Sequence, residues 1–206
     1  MSRTDMASWL DCCVRIGFDA DRAAVWHGRL VTAYREPQRF YHTLQHVEEC
    51  LDHLDRAPCA RSALVEMALW FHDAVYDPKS SDNEERSAAL AAAALKDGCV
   101  PGPTAAEAQR LILLTKTHQP GEGADDAILI DIDLAILGAD ESRFEEYERQ
   151  IRREYSWVAE DVYRAKRTAI LKGFLARRHL YVTSAFRDRF EDRARANLTR
   201  LIGTLQ

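Results

Sequence analysis

The sequence predicts an all-α fold. Apolar residues recur at spacings of three and four through long stretches, and short segments rich in Ser, Thr and acidic residues punctuate them as helix starts. Strand candidates are few: residues 127–130 and 180–182 are short, and a short apolar run reads equally as strand or buried helix.

Taken in order, Leu44, Val47, Leu51 and Leu54 form one apolar stripe and predict a helix over residues 43–55. Residues 63–71 are apolar nearly all round, which predicts a central buried helix. Asp82-Asn83-Glu84-Glu85 starts an alanine-rich helix. Thr104 with Glu107, and Ser142 with Glu145, fit the capping box, in which hydroxyl and carboxylate satisfy free amides at a helix start. A further helix covers residues 110–117. Residues 158–176 carry Val158, Val162, Ala165, Ala169 and Phe174 on one side, and the final segment places Phe186, Phe190, Ala194, Asn197, Leu198, Leu201 and Leu205 on one face. The expectation is about nine helices in a single domain over residues 1–206, with a functional core at about 35–140.

Composition bounds the function. Apolar residues at 47% and charged residues at 30% describe a globular chain, and 206 residues are enough to bury a sizeable core. A net charge of −5 lacks the basic footprint of a dedicated nucleic-acid binder. No apolar run approaches the ~18 residues of a membrane span. Five cysteines, odd in number and without a C-x-x-C pair, together with an N-terminus lacking a signal peptide's pattern, lead us to expect a reduced, cytoplasmic protein with buried thiols. Trp26 and Trp157 fit core or interface equally, which leaves a homodimer open.

Five of the seven histidines stand at positions 42, 46, 53, 72 and 118. His72-Asp73 is the telling pair. The apolar run of residues 64–71 ends in two polar side chains that must leave water, and a buried carboxylate without a partner is costly. A divalent cation resolves this, because it takes neutral imidazole and ionised carboxylate as ligands. The plainer alternative is a helix-end histidine bonded to a carbonyl with an Asp capping the next turn. An upstream His and a downstream Asp in apolar settings favour the metal.

The order His46, His72-Asp73 and a later Asp resembles the signature of the HD superfamily of metal-dependent phosphohydrolases. The flanks resemble one bacterial branch of predicted HD phosphohydrolases: Arg39-Phe40-Tyr41-His42-Thr43-Leu44-Gln45-His46, Trp70-Phe71-His72-Asp73-Ala74-Val75-Tyr76-Asp77-Pro78, Asp82-Asn83-Glu84, and Asp131-Ile132-Asp133-Leu134-Ala135-Ile136-Leu137-Gly138. The resemblance spans most of the chain and implies a helical HD-domain bundle with His46, His72, Asp73 and Asp133 as metal ligands. Asp131 is the runner-up to Asp133, with a helix cap or an outer partner of the centre as its other reading.

His42-Thr43-Leu44-Gln45-His46 also resembles the Tyr-His-x-x-x-His segment of cyclic-nucleotide phosphodiesterases, where the first His protonates the leaving oxygen. That implies His42 as general acid; a surface residue just outside a helix capped by Thr43 is the alternative. Tyr76 stands where dinuclear members carry a further His, so one ion is expected. Asp77 matches the acidic position of related enzymes and is implied as orienting the attacking water, or else makes an Asp-Pro turn. Glu84 fits either the substrate side of the site or the first turn of its helix.

The reaction implied is hydrolysis of a phosphate ester. Cations should surround the phosphate, with Arg39 first, then Lys116, Arg152 and Arg167; His118 contributes a contact or caps its helix. Asp73, Asp77 and His42 are thus the expected catalytic set, and Arg39, Lys116, His118 and Glu84 the substrate-binding set. Manganese, cobalt, iron, zinc or magnesium would suit the ligands. The partner is a small phosphorylated substrate of nucleotide type or otherwise. A non-catalytic nucleotide sensor with the same site is the second expectation. Di-iron oxygenation would need further histidines, and a pure adaptor would leave the histidine cluster without purpose.

Overall fold

A computed structural model describes residues 2–119 and 121–205. These residues hold ten α-helices and one 3-10 turn, one helix more than expected, and no strand among them. The chain groups into two compact units, residues 1–130 and 131–206.

The first unit is built on α1 (Met6–Ile16), α2 (Ala20–Ala33), α3 (Leu44–Leu54), α4 (Ser62–Phe71), α5 (Asn83–Asp97), α6 (Gly102–Leu114) and the start of α7 (Ala124–Asp133). Asp5 caps α1 by accepting the Ser8 amide, and Asp19 caps α2 by accepting that of Arg22. Between them Gly17 takes φ 77°, a left-handed conformation that a side chain would resist, and turns the chain so that Phe18 is buried.

Helix α4 is central, packed against α1, α3, α5 and α6. Its residues from Leu64 to Phe71 are all buried, as the all-round apolar pattern predicts. Each large apolar side chain buried this way contributes about 1.5–3 kcal/mol. Its one buried charge, Glu66, is met by Arg3 and Arg15.

Two expected capping boxes are replaced. Helix α6 starts earlier than expected, at Gly102, behind Pro101 and with no side-chain cap, and Glu107 pairs with Arg61 and Arg110 instead of reaching back to Thr104. Helix α8 is capped by Asp140, which takes the Arg143 amide, while the Ser142 hydroxyl donates to Asp140. At α6 the carboxylate goes to guanidinium donors, which bind it more strongly than a helix-start amide, and at α8 the Asp140 carboxylate takes the capping place expected of the Ser142 hydroxyl.

The second unit follows a 3-10 turn (Leu134–Gly138) with α8 (Glu141–Glu154), α9 (Glu160–Leu175) and α10 (Ser184–Leu205). The turn packs against α8 and α10, and α10 packs along α9. Of the two strand candidates, residues 127–130 lie inside α7. Residues 180–182 form a loop whose amides go to carboxylates: Leu180 and Tyr181 donate to Glu191, and Val182 to Asp131.

Candidate metal centre

His46 lies in the first turn of α3, whose start is set by Thr43 accepting the Gln45 amide. His72 is the C-cap of α4, still helical at φ −57° and ψ −36°, with its amide on Ala68 O. Asp73 follows directly. Both imidazoles are buried, at 3% and 1% exposure, and the Asp73 side chain is 17% exposed.

Three donor atoms converge here. His46 Nε2 lies 3.1 Å from His72 Nε2, His72 Nε2 lies 3.0 Å from Asp73 Oδ2, and His46 Nε2 lies 3.6 Å from the same oxygen. Atoms about 2.1 Å from a shared ion stand about 3.0–3.4 Å apart at octahedral to tetrahedral angles, so the spacing fits a single ion. His72 Nδ1 lies 2.8 Å from Leu69 O. A carbonyl only accepts, so the ring proton is on Nδ1 and the lone pair on Nε2 faces the other two donors. A lone pair turned on a carboxylate oxygen calls for a cation or a proton between them. His46 and His72 belong to a donor group able to hold a metal ion.

The charges agree. Burial works to raise the Asp73 carboxyl, yet the charge that His72, His42 and His46 carry when protonated, with the bond to His72, holds it well below the usual carboxylate range; with the rings neutral, that place in the field is left for a cation. Around the donors, Tyr41 packs its ring 4.7 Å from that of His46, and Cys50 Sγ sits 3.7 Å from His46 Nδ1. Cys50 was not singled out from sequence; its four-residue spacing from His46 on α3 is the signal that would have found it.

His42 is half-buried and stacks on Tyr76, with ring centroids 4.1 Å apart and planes at 26°. Tyr76 therefore packs against His42. Arg39 is turned inward: its side chain is fully buried, and its guanidinium donates to the carbonyls of His42, Asp73 and Ala74 and to Glu36. Asp77 is exposed and makes a turn, its Oδ1 accepting the Lys79 amide at 2.9 Å. Glu84 is half-buried in the first turn of α5. Lys116 is tied to that same end of α5, through Ser81 O and the Glu85 carboxylate. His118 follows α6 in a left-handed conformation, φ 49°, with its amide on Leu114 O.

In the second unit, Asp131 is fully buried and accepts Val182 N at 2.7 Å, Thr183 N at 2.8 Å and Thr183 Oγ1 at 2.7 Å. Both of its oxygens hold the turn into α10. Asp133 ends α7 and is half-buried. Arg167 is buried against Tyr147 and Glu148, and Arg152 pairs with Glu160.

No family model, curated protein or solved structure matches this chain.

Proposed function

We propose that the protein is a metal-dependent phosphohydrolase acting on a nucleotide or another small phosphorylated metabolite. The observation that supports this reading above all is the convergence of His46 Nε2, His72 Nε2 and Asp73 Oδ2 within 3.6 Å in a buried setting. These residues would hold one divalent ion, with Asp133 as the further carboxylate on the strength of the HD resemblance. Bound there, the ion would lower the pKa of a coordinated water toward ~7 and polarise a phosphoryl oxygen. His72 keeps its lone pair aimed at the ion through its bond to Leu69 O. Asp73 would stay ionised beside the charge of the ion, as it does beside the protonated imidazoles when they carry the charge instead. His42, held flat against Tyr76, is the group that would carry a proton to the leaving oxygen.

The test is phosphate release from nucleotides, deoxynucleotides and sugar phosphates with manganese, cobalt and magnesium supplied separately. Turnover by the wild type that is lost in Asp73→Ala is the expected result. Metal uptake without turnover on any ester would overturn catalysis and leave a metal- and nucleotide-binding sensor.

A further inference from the structure

Arg39 is the most thoroughly engaged cation beside the site. Its Nη1 donates to Asp73 O at 2.6 Å and His42 O at 3.2 Å, its Nη2 to Ala74 O at 2.9 Å, and its Nε to Glu36 Oε2 at 3.1 Å. The guanidinium also lies 5.1 Å from the Tyr34 ring centroid and 5.5 Å from that of Tyr76. Nothing of the side chain is exposed. Burying a cation is costly unless geometry and partners are good, and its one carboxylate partner, Glu36, is itself 43% exposed. What offsets that cost is a set of carbonyls that converge from two segments.

Those segments are the ones that carry the chemistry. One is the loop between α2 and α3, which brings His42 and enters α3 just before His46. The other leaves α4 through His72, Asp73 and Ala74, where helix-end carbonyls lack intrahelical donors. A planar fork with several fixed N–H groups bridges carbonyls from both, which the single ammonium of Lys cannot reproduce. Gln38 adds a parallel bond from its Nε2 to Tyr76 O, and Ser87 holds Val75 from α5. Tyr76, the ring on which His42 stacks, is also the ring beside Arg39.

We infer that Arg39 is a positioning residue: it clamps the His42 loop to the His72-Asp73 turn and so sets the spacing between the proton carrier and the metal ligands. It acts through backbone carbonyls and does not take the phosphate itself. This rests on the metal-dependent reading above.

The experiment compares wild type and Arg39→Lys by Co2+ titration, followed in the visible spectrum, and by turnover of phosphate esters with good and poor leaving groups. Thermal unfolding is recorded alongside. The expected result is a folded Arg39→Lys protein with Co2+ affinity lowered about tenfold, as for other groups that orient ligands from behind. Its turnover falls more on the poor leaving group than on the good one, because only the former needs a proton from His42. A variant that only loosened the fold would lose both esters equally. Arg39→Lys that matches the wild type in affinity and in both esters overturns the clamp alone. Wild type that takes up no Co2+ overturns the metal reading and the clamp with it. If Arg39→Lys does not fold, Arg39→Gln, which keeps a planar donor group but not the fork, decides: weaker Co2+ binding supports the clamp, and unchanged binding overturns it.

Discussion

Asp131 and Asp133 stand two positions apart, and at the scale of single residues the structure gives them different surroundings. Asp131 accepts three hydrogen bonds from Val182 and Thr183, which oppose the upward push of burial on its carboxyl. Replacing it by alanine strips buried donors of their acceptor. Asp131→Ala should therefore lose about 2–3 kcal/mol of stability in denaturant unfolding while its metal content stays that of the wild type. Asp133→Ala should keep its stability more nearly and lose metal affinity. Metal lost from the first variant and retained by the second would reverse the assignment of the ligand. From sequence the two were separable only by resemblance, since partners fifty positions away along the chain decide between a cap and a ligand.

At the scale of elements, carboxylates tie helices together more than they cap them. Glu107 on α6 pairs with Arg110 on its own helix and Arg61 at the start of α4, which hold its pKa down at about 2 against an ordinary 4.5. A depressed carboxyl stabilises the fold in its ionised form. That contribution is complete above pH 4.5 and is lost as pH falls to about 2. The stability gap between wild type and Glu107→Gln should be present at neutral pH, amount to no more than about 1 kcal/mol because water screens the pair, and close on acidification through that window. A gap that widened in acid would contradict the pairing. The same ion pairs explain what sequence periodicity left ambiguous. The run Ala127-Ile128-Leu129-Ile130 reads as strand or helix by pattern, but Asp125 and Asp126, engaged by Arg61 and Arg110, anchor it as the first turns of α7. Helices α3 and α4 were legible because one shows a clean stripe and the other a continuous apolar surface. Ahead of residue 43, Trp9, Cys12 and Cys13, then Ala23, Trp26 and Leu30, mark the inner faces of α1 and α2, a sparser stripe than that of α3.

For the whole molecule, the helical class and the His46, His72, Asp73 cluster were both legible, the cluster because an apolar helix does not end in His-Asp without a reason. The inward turn of Arg39 was not legible: a cation next to a histidine in sequence looks the same whether it faces a phosphate or three carbonyls. No helix among the described residues is long and apolar enough to cross a membrane. The central claim is that the converging nitrogens and oxygen hold a divalent ion. It is tested most directly by the metal content, per chain, of wild type and His72→Ala after loading with Mn2+ or Co2+ and removal of the excess. The account predicts one ion in the wild type and a loss of tight binding in His72→Ala. A wild type that retains no ion, or a His72→Ala protein that retains the full complement, would contradict it.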